Sequence, residues 1–259
     1  MGIYVSNIPS SGTHNAIGVA ELAVYLTIAA LRRHDEMEQA IQSRRVNTPI
    51  GDTLAGKRVL LVGFGGIGVE LARRLRLWDC SVSALRAREW VEGRDGEAVD
   101  EAAQHLHAKG TWARDRFEFA KHADVVIVSA MANATTAGMI DAEFLAACPD
   151  GVVLVNVARA ILVDRPAVEA ALASGKLGFL ATDVFWNEPL DPADELARHP
   201  RVYVTPHVGG HSRSSYRDLT QILLKAALAI HNKHAPDVVL NSPKNPKVAN
   251  GRDRDDSNA

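Results

Sequence analysis

The sequence predicts an α/β fold built on a doubly wound parallel sheet, and three observations lead there. The apolar run Val59-Leu60-Leu61-Val62 passes directly into Gly63-Phe64-Gly65-Gly66-Ile67-Gly68, and helix-forming residues 69–77 follow. Further along, strand-like and helix-like segments alternate, the order that produces βαβ units. Runs such as Val152-Val153-Leu154-Val155 are apolar at every position, which suits a strand covered on both faces.

Taken in order, the first expected element is an N-terminal helix over residues 15–34. Its positions Ile17, Ala20, Leu22, Ala23, Leu26, Ile28 and Leu31 leave almost no polar face, so it must be covered on most sides. A second subunit is one expected cover, hence a homodimer; the chain's own core is the other. Glu21 interrupts the stretch, which is shorter than the ~20 residues of a bilayer span and follows no basic leader, so neither a membrane segment nor a secretory signal is expected.

The glycine loop comes next, as G-x-G-x-x-G between a strand and a helix. Gly63 permits a tight turn, Gly65 lets the backbone approach a pyrophosphate, and Gly68 lets the helix pack on the strand, with Gly66 and Ile67 counted among the cofactor-binding residues of the loop. The free N–H groups at the helix N-terminus then face the phosphates. This is the dinucleotide cradle of a Rossmann-type domain. The second strand, expected over residues 80–85, decides which dinucleotide. An NAD site normally has Asp or Glu about 20 residues past the glycines; here Arg86 stands 18 positions after Gly68, with Arg88 beside it. Guanidinium groups suit a 2′-phosphate, so NADP is favoured over NAD by Arg86.

Residues 89–119 are polar and read as a solvated loop and helix insertion. Strands are then expected over 124–130, 152–157, 178–184 and 202–205, with helices near 141–147 and 165–174, all within a core sheet spanning 57–205. A C-terminal helix over 211–234 closes a dinucleotide-binding domain assigned to residues 1–241, and the polar segment 242–259 is expected to be disordered. Ligands of such sheets sit outside the carboxyl ends of the strands. Arg159, Asp183 and His207 all fall at or just past a strand end.

Composition limits the partners. The 259 residues are 47% hydrophobic and carry a net charge of −2 from dispersed charges, so neither nucleic acid nor an anionic membrane is an expected partner. Cys80 and Cys148 show no metal or disulfide spacing and read as small buried hydrophobes of a reducing compartment, with a cytoplasmic location as the default.

Asn156-Val157-Ala158-Arg159, then Thr182-Asp183-Val184-Phe185 with Glu188-Pro189-Leu190, then Thr205-Pro206-His207-Val208-Gly209-Gly210 resemble the signature segments of the D-isomer-specific 2-hydroxyacid dehydrogenases. The wording is most similar to the plant-type and glyoxylate or hydroxypyruvate reductase relatives, and the resemblance runs from about residue 2 to 231. It implies that Arg159 binds the substrate carboxylate and carbonyl. It implies His207 as the acid that protonates the carbonyl oxygen, with Glu188 bonded to the imidazole and favouring its charged form. Asp183 would then touch the nicotinamide end of the cofactor, Val157, Ala158 and Gly209 would line the ring, and Thr136 would lie near the pyrophosphate. Ala160 departs from the family's usual glycine, and Ala130 to Asn133 depart from its usual wording. Because the family's substrate domain precedes the position matching Gly2, that domain is expected to be largely absent from this sequence. The implied activity is hydride transfer between a nicotinamide cofactor and a small 2-hydroxy or 2-oxo acid such as hydroxypyruvate or glyoxylate. The alternative is a catalytically weak NAD(P)-binding dimer that serves as an interaction or redox-sensing module.

Overall fold

The computed structural model describes Val5, residues 9–232 and residues 234–236; the segment 242–259 lies outside the described residues. Seven parallel strands form one sheet in the order β3-β2-β1-β4-β5-β6-β7. They are β1 (Arg58–Val62), β2 (Ser81–Arg86), β3 (Ala108–Thr111), β4 (Val125–Val128), β5 (Val152–Asn156), β6 (Leu177–Thr182) and β7 (Val202–Val204). The helices are α1 (His14–Leu31), α2 (His34–Gln42), α3 (Gly66–Leu75), α4 (Glu97–Ala103), α5 (Trp112–Ala120), α6 (Ala142–Ala147), α7 (Arg165–Ser174) and α8 (Arg213–His231).

Strand side chains alternate between two cores. Val59, Leu61, Ile127, Val155 and Ala181 face one cluster, into which α1, α3 and α4 pack. Leu60, Val62, Val128, Leu154 and Leu180 face the other, covered by α6, α7 and the end of α5. Each fully buried Leu or Ile contributes on the order of 1.5–3 kcal/mol, so a sheet apolar on both faces is stable only with both layers in place. The strand direction forces those layers to be helical crossovers.

Helix ends follow local chemistry. Asp141 caps α6 by accepting from the Phe144 N–H, Asp164 caps α7 with Pro166 in its first turn, and Ser212 caps α8. Gly175 ends α7 in the left-handed conformation.

Three expectations are corrected. The apolar helix ends at Leu31, because Arg33 takes a left-handed backbone at φ +58°, and a separate α2 follows. The helix after the glycine loop begins at Gly66, inside the motif. Residues 89–119 are no mere insertion, since they supply the edge strand β3, paired with β2 from Ser83↔Ala108 to Arg86↔Thr111. Ala-Lys-Gly-Thr offers too little apolar surface to announce a strand. The cover of α1 is also settled for most of its surface. Val19, Ala20, Ala23, Leu26 and Ala30 are buried inside the chain against α3 and the sheet, and only His14, Glu21 and Tyr25 are exposed. Its apolar composition therefore calls for no second subunit, although its length and composition alone would pass for a bilayer span.

At the opposite edge from the site, Asp124 joins β4 to β1. Its carboxylate accepts from the Arg58 backbone N–H at 2.8 Å and from the guanidinium at 2.7 and 3.0 Å. The Arg58 side-chain bond is the main reason its pKa lies below 3.8, with burial opposing. A depressed carboxylate stabilises the fold fully above its unfolded value and loses that contribution as pH falls through the folded one. Asp124→Asn should therefore flatten the acid limb of a stability–pH curve below pH 3.8. At pH 7 it should cost no more than about 1 kcal/mol, since the pair is half exposed; both are read by urea unfolding across the pH range.

Candidate active site

Because every strand runs the same way, the loops after β1, β2, β4, β5, β6 and β7 meet along one edge. The strand order turns back between β1 and β4, and the glycine loop leaves β1 at that point. Gly63 has φ +102°, and a Cβ on it would lie 2.6 Å from the Ala130 nitrogen. A Cβ on Gly68 would lie 2.8 Å from the Gly63 carbonyl oxygen, and one on Gly66 2.9 Å from Ser11. Gly65 is different: a Cβ there meets nothing within 4 Å. Three glycines are thus required by the protein's own packing, while the bareness of Gly65 preserves open space at the N-terminus of α3. That space, ringed by free helix N–H groups, suits a pyrophosphate. Thr136 sits in the loop after β4, where its hydroxyl donates to the Met131 carbonyl oxygen at 2.9 Å.

Beyond β5, β6 and β7 lies a cleft of about 420 Å³ whose lining includes Arg159, Glu188 and His207, together with apolar Ile161, Phe185 and Trp186. The His207 Nδ1–H donates to Glu188 Oε2 at 2.9 Å. The other Glu188 oxygen accepts the Phe185 backbone N–H at 2.9 Å, which fixes the carboxylate's orientation. Burial pushes the Glu188 pKa up, but the bond from His207, the Phe185 N–H and the charges of His207 and Arg159 outweigh it, leaving the pKa below 4.5. An ionised Glu188 can only accept, so the imidazole keeps its proton on Nδ1 and has Nε2 left for a substrate oxygen. Arg159 is exposed and uses Nη1 on the Ala158 carbonyl oxygen at 2.6 Å. Its remaining donors are suited to a carboxylate.

Two buried polar groups hold these side chains in place. Asn156, at the end of β5, accepts from the Ala158 N–H and donates to the Arg159 carbonyl oxygen, fixing the turn that presents Arg159. Asp183, 2% exposed, accepts from the Thr205 hydroxyl at 2.6 Å, the Val208 N–H at 2.9 Å and the Gly209 N–H at 2.8 Å. Those bonds clamp the turn in which His207 takes φ +57°, a left-handed conformation that a β-carbon disfavours. Both Asp183 oxygens are committed to this turn, so its structural role is to hold His207. Val157 and Ala158 are buried in the two cores, and Gly209 packs against Val19 and Leu22 of α1. Asn156 and Thr205 lie within the signature segments, but only the fold shows what they bond.

The site fills in differently at the end of β2. Arg86 is not a free cation: it is 9% exposed, paired with Asp95 and bonded to the Arg88 and Glu89 carbonyl oxygens. Arg86 stands at the expected strand end, and the loop 87–96 folds back over its side chain. Trp90 of that loop lies against Phe64 of the glycine loop, with centroids 5.1 Å apart.

A glycine loop at the sheet's turning point, with an imidazole–carboxylate pair and an exposed guanidinium past the ends of neighbouring strands, is the arrangement of a dinucleotide-binding α/β domain. The family model described as D-isomer specific 2-hydroxyacid dehydrogenase, NAD binding domain, matches residues 24–209, and the chain belongs to that family. It is 28% identical over 225 residues to 4-methyl-2-oxopentanoate reductase A of Aspergillus oryzae, covering 86% of this chain and 63% of that protein. With D-3-phosphoglycerate dehydrogenase of Bacillus subtilis it shares 32% over 218 residues, 83% of this chain and 38% of the relative. A glyoxylate reductase structure from Paecilomyes thermophila superposes with a TM-score of 0.76 at 27% identity, over 93% of this chain and 68% of that one. The chain therefore spans roughly two-fifths to three-fifths of the length of these two curated relatives.

Gly65→Ala should leave stability within about 1 kcal/mol of wild type while weakening dinucleotide binding about tenfold or more by filling the cradle. Gly63→Ala should cost on the order of 2 kcal/mol or more through its positive φ and the Ala130 contact. Thermal melts beside dinucleotide fluorescence titrations read both. Asp183→Asn should destabilise by about 2–3 kcal/mol, since an amide offers one acceptor where two oxygens now take three donors; urea unfolding measures it.

Proposed function

We propose that this chain carries out hydride transfer between a nicotinamide cofactor and a small 2-oxo or 2-hydroxy acid, with glyoxylate or hydroxypyruvate as the leading substrates. The observation that supports it most is the Glu188–His207 pair, facing a cleft that Arg159 shares. The bound nicotinamide supplies or receives the hydride. Arg159 binds the acid's carboxylate and polarises its carbonyl. His207 delivers the proton from Nε2 to the carbonyl oxygen, and Glu188 stabilises the imidazolium form in the opposite direction.

NADP(H) preference over NAD(H) belongs to the same proposal and rests on Arg86 and Arg88 standing where an acid would select NAD. A second reading is that the chain binds the dinucleotide but turns over weakly, as an interaction or redox-sensing module. The exposure of the pair supports it, since Glu188 and His207 are each 41% exposed and water weakens a proton-transfer site.

Purified chain with NADPH or NADH and a panel of 2-oxo acids separates the readings by absorbance at the nicotinamide band. Turnover with glyoxylate or hydroxypyruvate that falls by about 10²–10⁴ in His207→Ala supports the enzyme. Rates equal to that variant leave only the binding module. In Glu188→Gln the acid limb of the kcat profile should move, because wild-type Glu188 stays ionised until pH falls below 4.5.

A further inference from the structure

We propose that Asp95 sets the dinucleotide selectivity of this chain by occupying the place of a 2′-phosphate between Arg86 and Arg88. The inference rests on the reading that the glycine loop holds a dinucleotide. One Asp95 oxygen lies 2.6 Å from Arg86 Nη1 and the other 3.1 Å from Arg88 Nη2. A carboxylate shared by two guanidiniums, one oxygen to each, is the arrangement that two oxygens of a phosphate would take up.

The position supports the assignment. Arg86 closes β2, the strand beside β1, and the Gly63 N–H donates to the neighbouring Leu85 carbonyl oxygen at 2.8 Å. The Arg86 guanidinium lies 4.2 Å over the Trp90 ring, and that ring lies against Phe64. The three charged groups therefore adjoin the glycine loop at the second strand, where the adenosine ribose of such domains is held. Arg86 is locked by its other donors, to the Arg88 and Glu89 carbonyl oxygens. Arg88 is 71% exposed and its side chain has Asp95 as its charged partner, so it can turn to a new anion.

Charge decides what each cofactor does to this bridge. A 2′-hydroxyl is neutral and donates a hydrogen bond; Asp95 accepts it while staying between the arginines, and so performs the task that an acid at the strand end performs in NAD sites. A 2′-phosphate brings about −1.5 to −2 charges, is repelled by Asp95, and must displace it to gain both guanidiniums. Asp95 thus lets NAD(H) bind and narrows, without reversing, the NADP(H) preference proposed above for Arg86 and Arg88.

Fluorescence titration of NADPH and NADH against wild type, Asp95→Asn and Arg88→Ala tests this, with melting curves alongside. Asp95→Asn should raise the ratio of NADPH to NADH affinity about tenfold. Arg88→Ala, whose exposed side chain the fold does not need, should weaken NADPH and leave NADH unchanged. An unmoved ratio in a folded Asp95→Asn protein, or an Arg88→Ala protein with wild-type NADPH affinity, overturns the assignment of Asp95 while leaving the cradle intact. Binding of neither dinucleotide by wild type overturns the cradle reading itself, and the assignment with it.

Discussion

Seven strands pointing one way impose the constraint on which the remaining architecture depends. A parallel strand cannot be reached by a tight turn, so each connection crosses a face of the sheet as a helix and both faces become cores. The same rule delivers all strand ends of one kind to one edge, where the chain must leave regular hydrogen bonding. Backbone groups freed there need partners, and the residues that satisfy them are the ones that shape the site. Asn156, Thr182 and Asp183 are buried polar side chains at or just past the ends of β5 and β6, and each bonds the backbone of a turn after its own or an adjacent strand.

Asp183 shows how strongly such anchors act. Its three accepted bonds reach from β6 to the turn after β7, and the left-handed backbone at His207 persists because the turn is fixed on both sides. His207 then meets Glu188, whose second oxygen is itself held by the Phe185 N–H. The imidazole is oriented by a chain of bonds that starts in the core. Burial makes that chain stiff, since an unsatisfied carboxylate at Asp183 would be far more costly than any strain the turn contains.

Legibility followed the same physics. Strands with continuous apolar runs, such as β1, β4 and β5, were readable within a residue or two, because burial on both faces leaves no other composition possible. The glycine loop and the ordered set Arg159, Glu188 and His207 were readable because chemistry restricts those residue types. β3 was not, because an edge strand of Ala108 to Thr111 buries little and pairs through backbone that any sequence possesses. The break between α1 and α2 was hidden for a related reason: a positive φ at Arg33 leaves no mark on residue type. Arg86 was readable in position, but its pairing was not. Its identity announced a cation at the end of β2, but the partner that neutralises it lies in a polar loop whose return path no periodicity encodes.

The two ends of the cleft therefore differ in readiness. At the glycine loop the binding groups are backbone N–H groups and open space, already in place and indifferent to the protonation of any side chain. Arg86 is buried and stacked, so little ordering remains to be done on binding. At the other end, Glu188, His207 and Arg159 lie open to water, where a charge pair is screened and a transferred proton has competing acceptors. Affinity for the dinucleotide draws on what the domain has preformed, whereas rate draws on groups that gain most of their strength only when water leaves. Dinucleotide binding and the proposed turnover therefore rest on different groups of this chain, and a substitution that moves one need not move the other.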